Sequence, residues 1–179
     1  MKNRYLLILI FLLCTSMSAC ASKTEEGVQN PQISQARKTM PDLGFYIDNT
    51  QSIYKLGSPI NLNVTLTNHA SESLDILPWG TPLERAFNSD MFHVSQAGIS
   101  IPYTGIMVKR GTPSDSDYLS IAPEKSLAAT IDLSKGYALQ TSGTYTITLK
   151  PRYLSTLSKD TNNNLIKAES NTIVIQITE

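Results

Sequence analysis

Cysteine is nearly missing from this chain: its 179 residues hold two, Cys14 and Cys20, both near the amino terminus. That excludes a disulfide framework for everything downstream, so the globular part must draw its stability from a hydrophobic core. Histidine is as scarce, with only His69 and His93, and neither begins an HExxH pattern. Lacking a third His or a partner Cys, a zinc site would need carboxylates gathered from distant loops. Neither sign of charge is in excess, since fifteen Lys and Arg balance fifteen Asp and Glu. Such a chain has no electrostatic footprint for nucleic acid, nor for a membrane held by charge alone. Also absent are a Gly-x-Ser-x-Gly elbow, a phosphate-cradling Gly-rich loop and a nucleophilic Cys, so the chain reads as non-enzymatic and without a cofactor. No window of a dozen residues carries a helical apolar stripe free of Pro or Gly.

What is present begins with Lys2 and Arg4, a basic start followed by the apolar run 5–13 and the small residues Met17-Ser18-Ala19 before Cys20. A run this short cannot cross a bilayer core, which needs about 20 residues, and it reads as a signal peptide. The ending is similar to the bacterial lipobox, which implies a signal over 1–19 and lipid on Cys20; an ordinary secretory signal cut after Ala19 or Ala21 is the plainer alternative. On the lipoprotein reading Ala21, in place of Asp, implies export to the outer membrane. Removing Lys2 and Arg4 leaves thirteen basic residues (fifteen less two) against fifteen acidic ones. Residues 20–41 are polar and aperiodic, a tether whose root-mean-square span is on the order of 25 Å.

The domain is expected over 42–179. Its clearest signal is 60–67, where Ile60, Leu62, Val64 and Leu66 alternate strictly with polar neighbours, as in a strand with one buried face. Further strands are expected from Gly44 onward and at 74–77, 91–94, 99–101, 106–109, 118–121, 127–133, 144–149 and 172–177. Gln96-Ala97-Gly98 supplies a hairpin turn, and 158–164 a polar loop. Strands this short, spaced by turns, predict an all-β, immunoglobulin-like antiparallel β-sandwich. Gly143-Thr144-Tyr145 resembles a tyrosine corner, in which the phenol reaches back to a loop backbone group.

Several residues invite a chemical reading. Asp160 to Asn164 starts like a calcium loop, but Leu165 stands where Gly is needed and Asn171 where Glu is needed, so a solvated loop is favoured. Asp115 and Asp117 lie among Ser and Pro and describe an exposed turn. Alternation turns His93 away from Phe92 and Val94. Lys109 and Arg110 either blunt a strand edge or contact a partner through the planar guanidinium fork. Trp79, between Pro78 and Gly80, is either a core plug or a recognition ring.

WGTPLE at 79–84, FHV at 92–94, YTGIMVKRGTP at 103–113, DYLSIAP at 117–123 and SGTYTITL at 142–149 occur in one order. Together they resemble the amino-terminal, non-catalytic region of deuterolysin-type (aspzincin) peptidyl-Lys metalloendopeptidases. The HExxH of that family's catalytic half does not occur in these residues, so the resemblance carries over no catalytic residue. It implies a peptidase-associated binding module, with a secreted metallopeptidase as partner for inhibition or folding. The expected contacts are Trp79, Thr81, Pro82, Leu83, Tyr103, Lys109 and Arg110. A structural or carbohydrate-contacting envelope lipoprotein is the alternative, and residual enzymatic activity a third.

Overall fold

A computed structural model describes residues 42–157 and 165–179. The expected signal 1–19, the tether 20–41, the polar loop 158–164 and the calcium-like run from Asp160 to Asn164 lie outside the described residues. Among the described residues twelve strands are formed: β1 (Leu43–Asn49), β2 (Ile53–Lys55), β3 (Asn61–Asn68), β4 (Leu74–Ile76), β5 (Phe92–Gln96), β6 (Ile99–Ser100), β7 (Leu119–Ile121), β8 (Ser126–Asp132), β9 (Gly143–Leu149), β10 (Arg152–Ser155), β11 (Leu165–Ala168) and β12 (Thr172–Thr178). Single 3₁₀ turns stand at Pro82–Glu84, Asp115–Asp117 and Leu133–Lys135.

One sheet runs β1-β3-β8 and the other β2-β12-β9-β5-β6, with β4-β7 and β10-β11 as separate two-stranded ladders. Pairings between these strands are antiparallel except β2 with β12. Alternation does the work the sequence implies. Leu62, Val64 and Leu66 of β3 are fully buried, and with Tyr145, Ile147, Ile175 and Ile177 they belong to one apolar cluster. This is the expected all-β sandwich.

Buried polar groups are satisfied at the joints, as burial demands. Asn68 ends β3 fully buried. Its amide donates to the carbonyls of Glu72 and Ile121, both at 2.8 Å, and its Oδ1 accepts from the Ala70 N–H. Asn171 ties β12 to β1, accepting from the Ile47 N–H at 2.7 Å and donating to the Ile47 carbonyl at 2.9 Å. The Tyr145 hydroxyl donates to the Thr141 carbonyl at 2.8 Å, the reach-back expected of a tyrosine corner. Ala97 (φ 49°) and Gly98 (φ 80°) both take the left-handed conformation that a two-residue hairpin between β5 and β6 requires.

One expected strand is not formed. Residues 106–109 pair with nothing as a strand, and Ile106 (65% exposed), Met107 (70%) and Val108 (42%) project into solvent. Lys109 and Arg110 therefore blunt no strand edge. Strands β2, β10 and β11 were not expected, because three or four residues of mixed polarity leave no readable alternation.

Candidate binding surface

Between β4 and β5 the chain leaves the sandwich and makes a tight knot. Pro78 ends the extended run, and Gly80 follows Trp79 at φ 70°, a conformation that costs glycine little. A Cβ at Gly80 would come within 3.0 Å of Arg152 Nη1 and 3.2 Å of Ser89 Oγ, so close approach as well as backbone requires glycine here. Thr81 caps the 3₁₀ turn: its hydroxyl donates to the Pro78 carbonyl at 2.6 Å and accepts from the Leu83 N–H at 3.3 Å, while Pro82 occupies the first helical position. Thr81 and Pro82 are buried and Leu83 packs against the core. These three side chains shape the knot from within and do not present a free face.

A long arch, residues 102–113, closes over this knot. Tyr103 anchors its start, donating to the Ile106 carbonyl at 2.6 Å while its ring packs on Phe87 and Tyr137 at centroid distances of 6.1 and 5.5 Å. Burial, with the charge of Asp90, pushes the Tyr103 phenol above its ordinary pKa, so it remains a donor at neutral pH. The Val108 N–H donates to the Asn88 carbonyl at 2.9 Å. Arg110 fastens the far end. Its guanidinium lies 5.1 Å from the centroid of the Trp79 ring and forms an ion pair with Glu84 Oε1, while Glu84 Oε2 accepts from the Gly80 N–H at 2.7 Å.

Trp79 is therefore half-buried beneath Arg110 and stands outside the apolar core cluster, which corrects the core-plug reading. Of the residues singled out from the sequence, Trp79, Thr81, Pro82, Leu83 and Arg110 meet in one place. Tyr103 and the exposed Lys109 lie on the arch above them. Asp115 and Asp117 are not a catalytic pair: Asp117 accepts from the Ser114 N–H and hydroxyl at 2.7 and 2.8 Å and caps its own turn. His93 is exposed beside buried Phe92 and Val94.

Under the knot lies a group that sequence reading missed. Tyr137 donates to Asp90 Oδ1 at 2.7 Å and accepts from the Phe92 N–H at 2.8 Å, and Lys150 Nζ lies 2.5 Å from Asp90 Oδ2. Partial burial pushes the Asp90 carboxyl up. The hydrogen bonds from Lys150 and Tyr137 and the charges of Lys150 and His93 outweigh it and hold the carboxyl below its usual value. Burial, with the Asp90 hydrogen bond, raises the Tyr137 phenol strongly, so it stays protonated. Arg152 Nη2 donates to the Asp90 carbonyl at 3.0 Å and to Ser89 Oγ at 3.3 Å. No group of three His, Cys, Asp or Glu among the described residues is placed to hold a metal ion.

Sandwich topology and a tyrosine corner define a domain of the immunoglobulin class. The chain belongs to the immunoglobulin-like domain family, whose profile matches residues 43–175. An extracellular protease of Aeromonas hydrophila is 32% identical to it over 95 residues, which are 53% of this chain and 26% of that protein. The match thus spans about a quarter of that relative's length. Among solved structures, the CARDB domain of a Pyrococcus furiosus protein is 14% identical with a TM-score of 0.37, covering 76% of this chain and 93% of that one. A fragment of Escherichia coli alpha-2-macroglobulin is 12% identical with a TM-score of 0.41, covering 77% of this chain and 17% of that one.

Proposed function

We propose that this chain is a non-enzymatic binding module of the bacterial envelope, lipid-anchored through Cys20, that engages a secreted metallopeptidase as its inhibitor or folding aid. The observation that carries this reading is the arch. Three consecutive large apolar side chains, Ile106, Met107 and Val108, are held out of the core on a segment fastened by Tyr103, by Val108 itself and by Arg110. Exposed apolar side chains that cluster mark interaction sites. Because the backbone beneath them is fastened, docking there costs this chain little conformational entropy. Similarity to an extracellular protease supports a peptidase as that partner, and the block order resembling the deuterolysin pro-region supports the metallopeptidase branch.

The test is recovery of the full chain from envelopes of its own cells, followed by assay of co-purifying peptidase. A metallopeptidase should be recovered, with its activity or yield changed by the wild-type chain and not by a chain carrying Ile106→Ser, Met107→Ser and Val108→Ser. Recovery of no peptidase, with no effect on peptidase activity in the extract, would overturn the reading.

A further inference from the structure

A cleft of about 430 Å³ opens beside the knot, within the range of small-ligand sites (about 300–1,000 Å³). Leu77, Trp79, Pro151 and Tyr153 form its walls, and Asp90, Lys150 and Arg152 supply its charge. It begins where a ladder stops. The Leu77 N–H donates to the Ser155 carbonyl at 2.9 Å, after which Pro78 brings no N–H and the chain turns away, leaving the start of β10 facing the gap.

The charges in this cleft do not balance. Two cations line it against one carboxylate. Both oxygens of Asp90 are engaged, by Tyr137 and by Lys150, and both oxygens of Glu84, the other nearby anion, are engaged by Arg110 and Gly80. Among the described residues Arg152 consequently forms no ion pair with a carboxylate, and its buried Nε has no hydrogen-bond partner. Burial lowers the Arg152 pKa, with Asp90, Tyr137 and Glu84 opposing, yet a guanidinium keeps its proton in proteins. Asp90 and Glu84 thus act on Arg152 only from a distance, and a half-buried cation with no carboxylate in direct contact among the described residues is costly for a fold, since such charges are ordinarily paired.

We infer that the cleft is a recognition site for a carboxylate on an extended peptide, an Asp or Glu side chain that compensates Arg152 and Lys150 while its flanking residues lie against Leu77, Pro151 and Tyr153. A peptide fits better than an acidic sugar. Arg110 already covers a face of the Trp79 ring, which removes that face as a stacking platform for a pyranose, whereas the short apolar walls beside a strand suit an extended backbone. This site is distinct from the arch and does not depend on a peptidase partner.

Trp79 is the only tryptophan of the chain and lines the cleft, so its fluorescence reports on this site directly. The full chain is titrated with a library of capped pentapeptides having Glu at the centre, and with the twin library having Gln there. The Glu library should shift the emission saturably, at least tenfold more tightly than its twin. Arg152→Gln should abolish the difference, with Lys150→Gln making the same test if the first variant fails to fold, while Lys167→Gln, whose lysine pairs with Glu169, should retain it. Equal responses to the two libraries would overturn the inference. So would a response to oligoglucuronate with none to either library, which would make the cleft a glycan site.

Discussion

Asp90 is the residue on which the polar contacts beneath the knot converge, and its titration is the most direct check on that geometry. Burial raises its carboxyl, but the hydrogen bonds from Lys150 and Tyr137 and the charges of Lys150 and His93 bring the folded value below the unfolded one. A carboxylate lowered by folding contributes stability above its unfolded pKa and loses it as pH falls through the folded value. The thermal midpoint of the wild-type chain should therefore drop as pH falls below about 4. Asp90→Asn should start lower at neutral pH and show a smaller acid drop, one that Asp117 still contributes to because Ser114 lowers that carboxyl as well. Identical acid slopes for the two proteins would remove Asp90 from the account. None of this was legible in the sequence. Asp90, Lys150 and Arg152 are brought together by the register that sets Phe92 opposite Leu149 and carries the Lys150 N–H to the Met91 carbonyl, and nothing in NSDMF or LKPRY announces that pairing.

At the scale of elements, the contrast between β3 and the arch shows what patterning can and cannot specify. In β3 strict alternation gives both the strand and its buried face, since period 2 admits one solution when every second side chain is aliphatic. Ile106-Met107-Val108 looks equally apolar, but a continuous run has no period, and only the absence of a neighbouring strand turns it outward. The same contrast gives a prediction. Ile175 of β12 is 1% exposed, and truncation to Ala should cost about 2–5 kcal/mol of unfolding free energy through lost burial and the cavity left behind. Replacing Ile106, Met107 and Val108 together by Ser removes more apolar surface in total. It should nevertheless change stability by no more than about 0.5 kcal/mol per site, because those side chains already face water. Urea denaturation of both variants decides the point: a loss in the arch variant comparable to Ile175→Ala would mean that the arch belongs to the core and is no docking element.

For the whole molecule, the proposed anchor determines how the arch and the cleft meet their ligands. A chain anchored through Cys20 has lost Lys2 and Arg4 and carries thirteen basic against fifteen acidic residues, so electrostatics alone offers little to hold it at a bilayer. Lipid on Cys20 would contribute about 0.8 kcal/mol per buried methylene, and residues 21–41 would leave the domain within roughly 25 Å of its attachment point. Confinement on that scale raises the effective concentration toward any envelope-bound partner without adding a contact. The expected outcome is that the wild-type chain stays with the membrane fraction through a high-salt wash, whereas Cys20→Ser appears in the soluble fraction with an unchanged thermal midpoint, since position 20 precedes the residues 43–175 that match the domain family. Loss of partner recovery by Cys20→Ser in dilute extract, restored when the protein is concentrated, would identify confinement as the anchor's contribution. If both proteins fractionate alike, Cys20 is no anchor, and the plainer secretory signal accounts for the amino terminus.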